Sequence, residues 1–274
     1  MERRIISIGG GNMGRAIIGG LLANGYEKAC LKVIDPDADA RARISRELGI
    51  DTAPTLQRLG DTDIVLLAVK PQIMKSVLND LGRLCDTSRP LFISIAAGIT
   101  TELLSRWLAC DTPIVRVMPN TPALVGRGAA ALFATAKVNA SERAAAEAIM
   151  EAVGSAVWLE NEALMDTVTA LSGSGPAYFF LLMETLEKVA IDLGLDTSVA
   201  RELTLETALG AAVLARESQI TPATLRERVT SPGGTTEAAL GVLHEGNLET
   251  LVEDAVRAAH RRSRELAADP GYEQ

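Results

Sequence analysis

The chain has 274 residues, 47% of them hydrophobic and 23% charged, which is ordinary globular composition and enough length for one large domain or two modest ones. A formal net charge of −8 with no basic run speaks against a nucleic-acid partner, though not against an anionic small molecule, whose binding follows the local field. Cys30, Cys85 and Cys110 lack any CxxC spacing, no leader pattern opens the chain and no apolar stretch reaches the length of a bilayer span, so the expectation is a cytoplasmic protein with reduced thiols and no membrane partner.

Over the first 160 residues short β-branched runs alternate with helical patterns. Strands are predicted over 4–8, 31–35, 63–69, 91–95, 114–118, 129–133 and 156–159, with helices over 13–24, 38–48, 73–84 and 141–153. The alternation argues for a parallel, doubly wound sheet. The unbroken run Ile64-Val65-Leu66-Leu67-Ala68-Val69 reads as a central strand covered on both faces.

Gly9-Gly10-Gly11-Asn12-Met13-Gly14 follows the first strand and opens a helix, which puts Gly9-x-Gly11-x-x-Gly14 in the context a dinucleotide fingerprint requires. In that reading Gly9 makes the tight turn after Ile8, Gly11 lets pyrophosphate approach bare backbone, and Gly14 lets helix and strand pack closely. The helix start at Asn12 and Met13 then faces the phosphate charge. Asp35, ending the second strand, stands where a carboxylate usually bonds the adenosine ribose 2′-hydroxyl and repels a 2′-phosphate. Arg41 and Arg43 follow as either compensating cations or solvated helix charges, so the sequence leaves NADPH and NADH both open.

Three more strand ends carry distinctive residues. Ala68-Val69-Lys70-Pro71 stops its strand with a proline and puts Lys70 near cofactor phosphate or ribose. Ser94-Ile95-Ala96-Ala97-Gly98 offers small residues against which a flat ring can lie. Met118-Pro119-Asn120-Thr121-Pro122 sets Asn120 between prolines, as a substrate-side group. Each alone is an ordinary strand stop; at successive strand ends they read as the walls of one cleft.

From Asn161 the strand signal disappears and helices are predicted over 162–171, 176–193, 197–217, 222–229, 235–244 and 248–267. The domains are therefore read as 1–160, dinucleotide-binding, and 161–274, helical. Aromatic residues are only 3%, which favours close helix approach through small side chains and weakens any idea of a base-stacking surface. The runs at 177–183 and 208–215 are apolar around most of the helix and need burial on more than one side, which one chain of this length hardly offers, so a partner subunit is expected.

Within the helical region lies Ser231-Pro232-Gly233-Gly234-Thr235-Thr236, a glycine-paired turn running into a helix. Its glycines admit close backbone approach, its helix start presents N–H groups that attract a carboxylate or phosphate, and its hydroxyls bond without carrying charge. Thr before Glu and an apolar run is also ordinary helix punctuation. His244 and His260 are the only histidines, and no Ser/His/Asp triad, Cys/His nucleophile or metal cluster can be assembled around them. Chemistry that needs little acid–base machinery fits this inventory, and hydride addition to a polarised C=N bond is such chemistry.

The motifs at 9–14, 68–71, 94–98 and 118–122, the run Ser172-Gly173-Ser174-Gly175-Pro176-Ala177-Tyr178 and above all 231–236 resemble those of pyrroline-5-carboxylate reductases from end to end. The resemblance implies an α/β chain with an N-terminal Rossmann-type doubly wound sheet followed by an all-helical dimerisation domain, acting as a homodimer that can assemble further. It implies reduction of a cyclic imino acid, 1-pyrroline-5-carboxylate, with NADPH or NADH. Ser231, Gly234 and Thr235 would hold the carboxylate and the Thr236 hydroxyl would lie near the ring nitrogen, against the cofactor cleft of the other subunit. Asp35-Pro36-Asp37 departs from the small polar residue or basic cluster frequent in that family at the adenosine ribose. Two alternatives are a 3-hydroxyacid dehydrogenase, which needs a base for which Lys188 is the one lysine after residue 160, and a non-catalytic dinucleotide-sensing module, which leaves 231–236 without purpose.

Overall fold

The computed structural model describes residues 3–61, 63–85 and 88–267. Eight strands form one sheet: β1 (Ile5–Ile8), β2 (Leu31–Ile34), β3 (Asp51–Ala53), β4 (Ile64–Leu67), β5 (Leu91–Ser94), β6 (Ile114–Met118), β7 (Gly128–Ala134) and β8 (Gly154–Trp158). Their order is β3-β2-β1-β4-β5-β6-β7-β8. The helices between them are α1 (Asn12–Ala23), α2 (Ala38–Leu48), α3 (Pro71–Gly82), α4 (Thr101–Leu108) and α5 (Ala140–Glu151). The order through β6 is that of a Rossmann sheet.

The apolar strands bury both faces. Ile5, Leu66, Ile93 and Val115 join Ile17 and Ile18 of α1, Ile44 of α2 and Ile149 of α5 in one core. Ile6, Leu67 and Phe92 point the other way, onto Met74 and Leu78 of α3 and Leu104 and Trp107 of α4. This two-sided burial is what a continuous apolar strand requires.

Three features depart from the sequence reading. The sheet is not wholly parallel, since β7 runs antiparallel to β6. The reason is connection length: β6 reaches β7 through a short 3₁₀ turn, Thr121–Val125, whereas a parallel return needs a dozen or more residues. The edge strand β3 was not predicted. It is three residues long and mostly polar, and its Asp51 pairs with Lys32 of β2 at 2.7 Å. The helix α4 also lay outside the predicted set. The other predicted elements lie within about two residues of the observed ones, the ordinary scatter of helix and strand ends.

Beyond β8 the chain continues as a 3₁₀ turn at Glu162–Leu164, α6 (Met165–Val168), a π-helical turn at Thr169–Gly173, α7 (Gly175–Asp192), α8 (Thr197–Glu217), α9 (Pro222–Arg228), α10 (Thr235–Glu245) and α11 (Leu248–Ala267). The predicted helix over 162–171 is thus three short pieces, the last of them π-helical. The residues through Ser174, with those from Ala259 on, form one compact unit; Gly175–Ala258 forms another. This division falls at Ser174, beyond the composition change at 160.

The second unit has almost no interior. Its buried residues are Gly175, Ala200 and Thr204, while Phe180 is 61% exposed, Leu182 56% and Leu209 58%. Each large apolar side chain left in water forgoes about 1.5–3 kcal/mol. No helix among the described residues is long and apolar enough to cross a membrane. The partner subunit expected from the sequence would cover these side chains. Light scattering is expected to find a dimer down to the lowest measurable concentration. Leu182→Asp combined with Leu209→Asp should abolish association and most of the helical signal of this unit; a folded monomer at low concentration would contradict the reading.

Candidate active site

The parallel strands end on a common edge, where the glycine loop lies. Gly9 has φ +99°, and a Cβ there would come within 2.6 Å of the Ala68 carbonyl oxygen. At Gly14 a Cβ would meet the Gly9 carbonyl oxygen at 2.8 Å, so α1 packs on β1 and β4 only without a side chain at that position. Gly11 differs: a Cβ would meet nothing within 4 Å, so its backbone faces open space. Arg15 is the first residue of α1 whose N–H bonds back into the helix, to Gly11 O at 2.9 Å. The N–H groups of Asn12, Met13 and Gly14 precede it, and with the helix dipole they suit an anion. Met13 also packs its side chain on the sheet core.

A cleft of about 760 Å³ runs along this edge, lined by Gly9, Gly11, Asp35, Ala68, Lys70 and Ile73 among others. Its volume is within the usual range for a cofactor site. Ile8 and Val69 also line it. Pro71 is the first residue of α3 as well as a strand stop, and exposed Lys70 is that helix's N-cap.

Asp35 does more than its sequence position suggested. Its Oδ2 accepts the Gly10 N–H at 2.8 Å and its Oδ1 the Asp37 N–H at 2.9 Å, so the carboxylate pins the glycine loop to the end of β2. Arg41, the nearer candidate cation, donates Nη1 to the Asp35 and Pro36 carbonyls at 2.8 and 2.9 Å. That arginine is tied to backbone rather than to the carboxylate.

Farther along, Ala96 and Gly98 are buried and Ala97 is exposed, with Gly98 at φ +77°. The end of α11 lies beside Gly98, with Leu266 and Ala267 atoms 3.7 Å from where its Cβ would be. The Ser263 hydroxyl donates to Asp166 at 2.7 Å and fixes that helix end. Asn120 is buried and bonded on both amide atoms: Oδ1 accepts the Ala129 N–H at 2.8 Å and Nδ2 donates to Ser172 O at 3.1 Å.

One cluster escaped the sequence reading. Glu162 accepts from Thr101 N at 2.8 Å, Thr101 Oγ1 at 2.6 Å and the buried Arg116 Nη1 at 2.9 Å. It ties the start of α4, just after Gly98, to the middle of β6. The visible signal was a charge inside the apolar run Ile114-Val115-Arg116-Val117-Met118.

In the second unit, the 231–236 loop folds as a turn with Gly234 N–H donating to Ser231 O at 3.0 Å. Gly233 adopts φ +72°, and its N–H is held by Glu237 Oε2 at 2.7 Å. Gly234 caps α10 without a side-chain bond, and the first intrahelical donor is Ala238, onto Gly234 O at 3.2 Å. The N–H groups of Thr235, Thr236 and Glu237 therefore precede the helical ladder, beside the exposed Ser231 and half-buried Thr236.

Removing the Asp35 charge while keeping its acceptor for Gly10 N–H separates its two roles. Asp35→Asn should tighten NADPH binding by about 10–100-fold relative to NADH, the equivalent of about 1.4–2.7 kcal/mol of relieved repulsion. A nucleotide-binding titration decides this; equal changes for both cofactors would mean that Asp35 acts only on the loop.

The family model described as pyrroline-5-carboxylate reductase dimerisation matches residues 162–266, and that described as NADP oxidoreductase, coenzyme F420-dependent, matches 4–98. The chain is 48% identical over 269 residues to the pyrroline-5-carboxylate reductase of Pseudomonas aeruginosa, with 98% of each covered. It is 45% identical to that of Haemophilus influenzae, with 97% of this chain and 98% of the relative covered. A solved pyrroline-5-carboxylate reductase from Coxiella burnetii aligns with TM-score 0.91 at 44% identity, covering 97% of this chain and 98% of that one. A pyrroline carboxylate reductase from Plasmodium falciparum, solved with NADP bound, aligns with TM-score 0.84 at 29% identity over 97% and 98% of the two chains.

Proposed function

The chain belongs to the pyrroline-5-carboxylate reductase family, and we propose on that premise which of its groups act in the reaction. The protein reduces 1-pyrroline-5-carboxylate to L-proline with hydride from NADPH or NADH, the last step of proline biosynthesis, and works as a homodimer. Residues 1–160 serve the cofactor and 161–274 serve dimerisation and substrate. The cytoplasm is its compartment, a reading supported by three cysteines without pairing spacing.

The cofactor, when bound, supplies the hydride. Ile8, Gly9, Gly11, Asn12, Met13 and Gly14 hold its pyrophosphate end, Asp35 its adenosine ribose, and Ala68, Val69, Lys70 and Pro71 the adjoining wall. Ala96, Ala97 and Gly98 carry the nicotinamide, with Asn120 beyond them on the substrate side. The backbone at Gly11, open where a Cβ would otherwise stand, supports this assignment.

Ser231, Gly234 and Thr235 receive the substrate carboxylate. The observation that carries this is the helix start itself: consecutive N–H groups ahead of Ala238 leave a two-glycine turn and offer neutral donors to an anion. A buried arginine, with its desolvation cost, is unnecessary. The Thr236 hydroxyl orients the ring nitrogen. An alcohol is too weak an acid to protonate an imine near neutrality, so Thr236 positions the ring and bonds the amine that forms. A protonated imine accepts hydride without further activation, so these groups need only bind and orient it.

Initial rates with pyrroline-5-carboxylate and each nucleotide test the function. Thr236→Ala should lower kcat/KM by about 10- to 1,000-fold with nucleotide affinity nearly unchanged, and Thr236→Ser should recover much of the loss. Turnover near that of the wild type in the alanine variant would reduce Thr236 to part of a helix start.

A further inference from the structure

Part of Ser172-Gly173-Ser174-Gly175-Pro176 is built unusually. Thr169–Gly173 is a π-helical turn, closed by Ser174 N–H on Thr169 O at 2.8 Å. Such turns are rare and concentrate at functional sites. The residue four beyond Ser172 is Pro176, which has no N–H to give the Ser172 carbonyl. The donor comes from elsewhere: Asn120 Nδ2, at 3.1 Å. The same carboxamide is anchored at its other end by the Ala129 N–H at 2.8 Å, so its orientation is fixed by the entry to β7. The turn also lies against β6 directly, because a Cβ on Gly173 would fall 2.4 Å from Met118 Cε.

This bridge has a definite place on the sheet edge. The order β2-β1-β4-β5-β6 puts Asp35 at one end of the cofactor path and Met118 and Asn120 at the other, next to the strand that leads to Ala96 and Gly98. A dinucleotide with its adenosine at β2 has its nicotinamide toward β5 and β6. Asn120 thus stands at the reacting end, with its amide engaged by backbone on both sides.

We propose that Asn120 is a positioning residue for the reduction: it supplies the donor that Pro176 lacks and thereby holds the Ser172–Gly173 turn as the wall beside the nicotinamide. The proposal rests on the reductase reading and replaces direct substrate contact by Asn120 with action through the turn. A displaced wall disturbs the geometry of hydride transfer more than it disturbs binding, so the effect falls on kcat.

Asn120→Ala should lower kcat about 10–100-fold while KM for pyrroline-5-carboxylate and the NADH dissociation constant change less than about threefold. A raised KM with kcat intact would overturn the proposal in favour of a substrate ligand. Asn120→Asp puts a carboxylate oxygen against the Ser172 carbonyl; only its protonated form donates, and that acceptor neighbour raises the pKa of the introduced acid. Its kcat relative to wild type should therefore rise as pH falls from about 8 to about 5.5, and a ratio that stays flat would contradict the bridge. Pro176→Ala returns an N–H at the missing position. The melting temperature lost in Asn120→Ala should be largely restored in the Asn120→Ala/Pro176→Ala double variant, and strictly additive changes would refute the shared carbonyl. Wild-type turnover is the separate control: its absence would sink the reductase reading, while the thermal cycle decides the bridge without reference to activity.

Discussion

Gly175–Ala258 cannot bury its own apolar surface. Helices rich in leucine, alanine and phenylalanine leave Phe180, Leu182 and Leu209 more than half exposed in the single chain, where only Gly175, Ala200 and Thr204 are buried. Helical propensity alone does not hold such segments together; tertiary burial does. The homodimer is therefore part of the fold, and the 231–236 loop is carried on a unit whose structure requires a second copy.

The sheet unit obeys a different logic. It has a full core on both faces, so its C-terminal edge can be rigid and still leave bare backbone toward a ligand. That edge is held from several directions. Asp35 pins the glycine loop through Gly10 N–H, Glu162 joins Arg116 of β6 to the start of α4, and Ser263 fastens the end of α11 to Asp166. None of these groups needs to touch substrate to matter, because cofactor geometry within a fraction of an ångström governs hydride transfer. On the proposed assignment a reductase works with neutral donors: binding and orientation come from backbone, and the imine's own positive charge provides the activation.

Much of this was legible in the sequence because periodicity and glycine spacing are local. Strand 114–118 and helices 38–48, 197–217 and 248–267 were read at their observed bounds, and the apolar runs of α7 and α8 announced the need for a partner. What stayed hidden depends on long-range partners. Arg116 was visible as a charge inside a strand, but its partner Glu162 lies 46 residues away. Asn120 was read as a substrate-side group from its flanking prolines, whereas its link to Ser172 is set by a π-helical turn and a proline beyond it, which no local pattern reveals. The reversal of β7 was implicit in the few residues between 118 and 128, too short for a parallel crossover. The short β3 had no signal at all, being polar and only three residues long.

Whether the start of α10 receives the carboxylate of a cyclic imino acid is decided by a crystal structure of the dimer with L-proline and oxidised nucleotide. The proline carboxylate is expected on the backbone and hydroxyl donors of Ser231, Gly234 and Thr235, with its nitrogen beside Thr236. Proline bound elsewhere, with that helix start left to water at saturating ligand, would contradict it.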